Sequence, residues 1–146
     1  MGKRIIIVDD DPTLVRLCRL ILEREGHQVW GAFSGAECLN SLRRGAVDLI
    51  LLDLMLQDMD GLELLEKIRA NDHWRRIPVI VVTGLSRWQA ENYARSNPVA
   101  GYLMKPFQVA RLLEQVRHIV GNGHRDEPCK ELLLPLNQPL LQDALR

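Results

Sequence analysis

Neither sign of charge predominates in this chain: lysine plus arginine number 19, and so do aspartate plus glutamate. That balance removes the electrostatic footprint expected of a nucleic-acid binder or of a protein held to acidic membranes. Cysteine is scarce. Cys18, Cys38 and Cys129 lie far apart with no C-x-x-C pair, which disfavours structural zinc and a disulfide framework and fits a reducing compartment. Cys18 and Cys38 fall on apolar helical stripes and are expected to be small core residues. No apolar run reaches the length of a membrane-spanning helix, and the N-terminal stretch is too short and too soon acidic for a signal peptide. Met-Gly at the start lacks the Ser or Thr of a myristoylation motif, since Ile6 stands there. There is no internal repeat. These absences point to a soluble cytoplasmic protein, and 146 residues suffice for one domain with its own core.

Short apolar runs that end in polar residues are what the chain does have. Leu49-Ile-Leu-Leu-Asp53 is the central one, and it reads as a strand buried on both faces of a parallel sheet. Lys3 to Val8 ends in Asp9-Asp10-Asp11, Pro78 to Val82 ends in Thr83, and Gly101 to Met104 ends in Lys105. His27 to Phe33 is a further short strand. Ligands of open α/β sheets bind outside the carboxyl ends of the strands. Two acidic ends, a hydroxyl and an ammonium at one edge therefore make a candidate site for a cation and an anion together.

Helical spacing fills the gaps between these runs. Asp11-Pro12 opens a helix with Leu14, Leu17, Cys18, Ile21 and Leu22 on its apolar stripe, and Gly26 ends it. Ser34 with Glu37, Asp60 with Glu63, and Ser86 with Gln89 each have capping-box spacing. The helix after Ser86 runs to about Ser96 on a thin stripe of Trp88, Ala90, Tyr93 and Ala94, and is expected to be the least firmly packed. A last helix over Gln108 to Val120 precedes Gly121. Five strand–helix units give an α/β fold: a five-stranded doubly wound parallel sheet with helices on both faces.

Residues 1–121 form the domain. From Asn122 a linker-like stretch leads into a Leu/Pro-rich tail, 122–146, interrupted by Pro135 and Pro139 and expected to pack on the domain or on a partner. Asp58 and Asp60 read as surface loop and N-cap. His27, His73, His118 and His124 have no ligand spacing, and solvated positions are expected for them. Trp74 and Trp88 are expected to be partly exposed.

Four elements carry a resemblance to a known family: Val8-Asp9-Asp10, Leu51-Leu52-Asp53 with Gly61 after the loop, Val82-Thr83-Gly84, and Tyr102-Leu103-Met104-Lys105-Pro106-Phe107. In this order, each at a strand end, they make the chain resemble the response-regulator receiver domain of two-component signalling over roughly Lys3 to Gly121. The resemblance implies a flavodoxin-like strand order, 2-1-3-4-5, and implies that Asp53 takes a phosphoryl group as an aspartyl phosphate. It also implies a magnesium ion held by Asp10, Asp53 and the backbone carbonyl of Met55, with Asp9 acting through water. Lys105 and Thr83 would meet phosphate oxygens, and the Lys105–Pro106 bond would be cis. Thr83 would move toward the phosphoryl group and Tyr102 would turn inward, reshaping the surface of helix four, strand five and helix five. Trp88 lies on that surface as a candidate contact. The implied donor is a sensor histidine kinase or phosphotransfer protein, and the implied output is contact with another protein.

Met55 and Leu85 are apolar at positions that, by the resemblance, would flank the route of attacking water, and they are expected to affect phosphoryl lifetime. The helix-four segment lacks the charged residues associated with symmetric receiver dimers joined to winged-helix domains. The expectation is thus a stand-alone phosphoacceptor, without an output domain, that signals through protein contacts and is not an enzyme beyond its own phosphotransfer. Rival readings are a binding module of this fold with idle chemistry, and a small phosphohydrolase or flavodoxin-like ligand binder. Against the last stand the missing Asp-x-Asp-x-Thr motif, with Leu54-Met55-Leu56 after Asp53, and the lack of a Ser/Thr/Gly-rich phosphate loop after strand one.

Overall fold

The computed structural model describes residues 2–120; the tail, Cys129 and His124 lie outside them. Five strands alternate with five helices: β1 (Arg4–Val8), α1 (Pro12–Arg24), β2 (Gln28–Ala32), α2 (Gly35–Arg44), β3 (Leu49–Leu52), α3 (Gly61–Ala70), β4 (Val79–Thr83), α4 (Arg87–Tyr93), β5 (Gly101–Met104) and α5 (Val109–Val120). All pairings are parallel, in the order β2-β1-β3-β4-β5. That is the expected doubly wound sheet.

Strand periodicity decides which face each side chain enters. Ile5, Ile7, Leu49, Leu51, Ile80 and Val82 face α1 and α5, in one apolar cluster. Ile6, Val8, Ile50, Leu52, Val79 and Val81 face α2, α3 and α4, in the other. Because β3 is covered on both sides, all four of its residues are buried. Each such aliphatic side chain contributes about 1.5–3 kcal/mol over remaining exposed. Cys18 and Cys38 are core thiols as expected, and burial pushes each up to about 12.

Helix caps follow the sequence at α1 and α4 and differ from it at α2 and α3. Asp11 caps α1 through the N–H groups of Thr13 and Leu14, and Gly26 follows the helix at φ 96°, where a side chain would be strained. At α2, Ser34 accepts from Glu37 N, but the Glu37 carboxylate reaches one residue further back, to Phe33 N. At α3, Asp60 accepts from Leu62 N, and no bond links the Glu63 side chain to its backbone, so this pair is a simple cap. Among the described residues only α4 has the full reciprocal box, Ser86 with Gln89.

Helix α4 is shorter than expected, ending at Tyr93, and buries only Ala90 within its span. Trp88 projects from it 72% exposed. The Arg87 guanidinium lies over the Tyr102 ring, 5.2 Å from its centroid, and the Tyr93 hydroxyl donates to Asp60 Oδ1. These side-chain ties substitute for the apolar contacts that the thin stripe cannot supply. On the opposite face, Arg117 of α5 forms two 3.0 Å hydrogen bonds with Glu25 at the end of α1.

Candidate functional site

Parallel strands all end at the same edge, so the residues following β1, β3, β4 and β5 share one rim of the sheet. The ladder carries the first two into the site: Asp9 N donates to Ala32 O and Asp53 N to Val8 O, both at 3.0 Å. Lys105 N donates to Thr83 O at 2.7 Å, tying the ends of β4 and β5 together. The Lys105–Pro106 bond is cis.

Three of these strand ends use one local device, a side-chain oxygen that accepts the N–H two residues on. Asp9 Oδ1 accepts from Asp11 N at 2.9 Å, Asp53 Oδ1 from Met55 N at 3.0 Å, and Thr83 Oγ1 from Leu85 N at 3.4 Å. In Asp9 and Asp53 the turn engages one oxygen and leaves the other to Lys105. Asp9 is 3% exposed, Asp53 6% and Thr83 0%.

Lys105 closes the arrangement. Its ammonium stands 2.6 Å from Asp9 Oδ2 and 2.9 Å from Asp53 Oδ2. Burial pulls this ammonium downward, but its hydrogen bonds to Asp9 and Asp53 outweigh that, and it is held above its ordinary 10.5. Asp9 moves the other way from an ordinary ion pair. Burial raises its carboxyl more than the Lys105 hydrogen bond lowers it, and the Asp53 charge raises it further. One ammonium thus leaves part of the negative charge of two buried carboxylates uncompensated.

Of the residues named from sequence, Asp9, Asp53 and Lys105 are in direct contact. Asp10 is half-buried beside them, and its carboxylate has no partner among the described residues. Met55 contributes its N–H to Asp53 while its side chain is 56% exposed. No hydrogen bond joins Thr83 to Asp53. Tyr102 is half-buried under Arg87, and burial is the first cause that raises its hydroxyl, followed by the Glu91 charge.

Among the described residues no three acidic, imidazole or thiol side chains are gathered closely enough to hold a metal ion by themselves. The donor chemistry nevertheless fits magnesium. Two carboxylates already converge on one cation, all donors are oxygen, and magnesium needs only one or two carboxylates beside its waters and a phosphate.

Asp58 is the residue that sequence reasoning undervalued. It was expected to be plain surface loop, yet its carboxylate accepts from Gly35 N and Ala36 N at the start of α2, at 2.9 and 3.2 Å. Its partners lie more than twenty residues away, so no local pattern could reveal them. His27, expected to be solvated, accepts from Lys3 N through Nδ1.

A family model described as the response regulator receiver domain matches residues 5–117. The polar-differentiation response regulator DivK of Brucella anthropi is 32% identical over 123 residues, covering 84% of this chain and 100% of its own length. A CheY-like response regulator receiver domain protein from Methanospirillum hungatei JF-1 superposes with a TM-score of 0.75 at 32% identity, covering 87% of this chain and 100% of that one. The receiver domain of a sensor histidine kinase from Pseudomonas aeruginosa PAO1 gives a TM-score of 0.75 at 28% identity, covering 83% and 99%; that structure has a magnesium ion coordinated in its active-site cleft.

Proposed function

Since the chain belongs to the response regulator receiver domain family of two-component signalling, we propose that Asp53 is its phosphoacceptor and that phosphorylation switches the α4–β5–α5 surface. The observation that carries this reading is the double contact of Lys105 with Asp53 and Asp9 at the carboxyl edge of the sheet. A nucleophilic carboxylate, a second carboxylate for a cation and a mobile point charge for a phosphate oxygen are the parts that phosphoryl transfer requires.

In the proposed reaction an Asp53 oxygen attacks phosphorus of a phosphohistidine. The new O–P bond forms as the N–P bond breaks, and the departing imidazole takes up a proton. Asp53 Oδ1 is already engaged by Met55 N, so Oδ2 becomes the nucleophile once Lys105 turns from it toward a phosphoryl oxygen. Asp9, Asp10, Asp53 and the Met55 carbonyl would hold magnesium, which supplies charge neutralisation at the transferring group. Thr83, buried at the end of β4, would turn its hydroxyl to another phosphoryl oxygen, and Tyr102 would follow into the space it leaves.

The donor is a sensor histidine kinase or phosphotransfer protein, and the output is a protein contact of the switched face. The chain is a signalling phosphoacceptor with slow self-dephosphorylation, working in the cytoplasm. Two buried free thiols are in keeping with that compartment, and no helix among the described residues is long and apolar enough to cross a membrane. Residues 1–121 would be the working unit.

Incubation with labelled acetyl phosphate and magnesium tests the assignment. One phosphoryl group per chain is expected in the wild type and none in Asp53→Asn. Full labelling of Asp53→Asn would overturn the site, and an unlabelled wild type would favour the idle binding module.

A further inference from the structure

Between Asp53 and α3 the chain crosses an eight-residue stretch, Asp53 to Asp60, that bears Met55 and the proposed metal-binding carbonyl. Its near end is fixed by the Met55 N–H on Asp53 Oδ1, and its far end by Gly61 N on Leu54 O. The middle of the stretch is docked elsewhere, on the first turn of α2. Asp58 accepts the N–H groups of Gly35 and Ala36, the first two residues of that helix. These donors have no partner within the helix, and a carboxylate is favoured at its positive end.

A second contact holds the same two segments. The Met59 side chain occupies the space where a β-carbon on Gly35 would sit, its sulfur only 2.6 Å from that position. Gly35 is thus the residue that lets Met59 lie flat on α2. Ser34 and Glu37 complete the helix start, but their side chains bond to backbone of α2 and of Phe33 before it and not to the loop. The helix start is therefore capped from two independent sources, one local and one from the Asp53 loop.

We propose that Asp58 is a positioning residue for the phosphoacceptor site: by anchoring the middle of the loop to α2 it fixes Met55, and through Met55 the orientation of Asp53 and the carbonyl offered to magnesium. This rests on the phosphoacceptor reading above and adds a residue that touches neither phosphate nor metal. Groups hydrogen-bonded directly to a metal ligand change metal affinity by about 10–100-fold when removed, and Asp58 acts one link further out, so the lower end of that range is expected.

The test compares Asp58→Ala, Asp58→Asn and Ser34→Ala in the full chain. Two readouts are taken: the magnesium concentration at half-maximal labelling by acetyl phosphate, and hydrogen exchange of the Leu54–Met59 amides without metal. Asp58→Ala is expected to raise the half-maximal concentration about ten-fold while labelling at saturating magnesium is kept, and to speed exchange in the loop. Asp58→Asn, which keeps one acceptor oxygen, should recover part of both. Ser34→Ala weakens the same helix start and should change neither. Equal effects of Ser34→Ala and Asp58→Ala would show that α2 alone matters and would overturn the proposal, as would unchanged loop exchange in Asp58→Ala. A wild type that takes no label at any magnesium concentration would overturn the phosphoacceptor reading itself, and the positioning role with it.

Discussion

Lys105 reaches back across 52 positions to set its ammonium 2.9 Å from Asp53 Oδ2, while Met55 N holds the other oxygen of the same carboxylate. The two oxygens of Asp53 are therefore not equivalent. One is pinned by its own backbone turn, and the other is guarded by a cation on a flexible stem. Asp9 repeats the pattern, with Asp11 N on one oxygen and the same ammonium on the other. Lys105 in this way holds together two carboxylates that would otherwise repel in a site of little solvent.

Removing that ammonium should reveal the repulsion. In Lys105→Ala the fold is retained, but stability should fall by about 2 kcal/mol, below the 3–5 typical of fully buried pairs because the lysine is partly exposed. Magnesium should restore part of the loss, since a divalent cation takes over the role of the missing charge. Urea denaturation of wild type and variant, with chelator and with magnesium, measures both effects. Equal stability of the two proteins in chelator would show that the carboxylates do not need the lysine.

Arg87 should hold Tyr102 at the surface. A cation over an exposed aromatic face is worth about 0.5–1 kcal/mol, so Arg87→Ala should shift the ring's inward–outward equilibrium by about two- to five-fold. Arg87→Lys keeps the charge but loses the planar stack and should lie between. Side-chain resonances of Tyr102, followed without phosphodonor, report the populations. Identical ring shifts in all three proteins would mean that packing against the sheet alone sets the position.

The strand–helix alternation, the two-faced burial of β3 and the polar strand ends were legible because each follows from local pattern: continuous apolar runs, helical stripes and Gly or Pro punctuation; the strand order came from the family resemblance instead. The gathering of Asp9, Asp53 and Lys105 was legible for a topological reason, since parallel strands must end at one edge. What the sequence withheld depends on contacts between distant segments or on the detailed local path of the chain. Asp58 looks like any acidic loop residue until α2 is placed beside it. Glu37 has capping-box spacing, and only the local path of the chain directs its carboxylate to Phe33. The early end of α4 had no signal either, because a stripe of Ala90 and Ala94 continues past Tyr93 while the helix does not.

Asp58 should leave a signature in acid. The Gly35 N–H is the first cause holding its carboxyl below the ordinary 3.8; desolvation opposes this and the Ala36 N–H adds to it. A depressed folded value means that the unfolded chain binds the proton more readily, so stability from Asp58 is present above 3.8 and is lost as pH falls through the depressed value. The stability gap between wild type and Asp58→Ala should then be constant down to the ordinary carboxylate range and close below it. A gap that persists unchanged in strong acid would assign the effect to packing of the side chain instead.

Tyr93 supplies the opposite sign at the other end of the scale. The hydrogen bond from its hydroxyl to Asp60 comes first in raising its phenol from 10.0 to about 12, with burial and the Asp60 charge adding to it. Here the folded state retains the proton that the unfolded chain gives up, so the contribution is complete below 10.0 and disappears as pH rises toward 12. Since Asp60 also caps α3, losing this bond loosens α4 from the end of the loop that follows Asp53. In a Tyr102→Phe background, where Tyr93 is the remaining tyrosine, phenolate absorbance should report a midpoint near 12, and Asp60→Asn should bring it back toward 10. If the midpoint already lies at the ordinary value in the parent protein, the tie between α4 and α3 is open in solution, and α4 is held on that side by the apolar packing of Ala90, Tyr93 and Ala94.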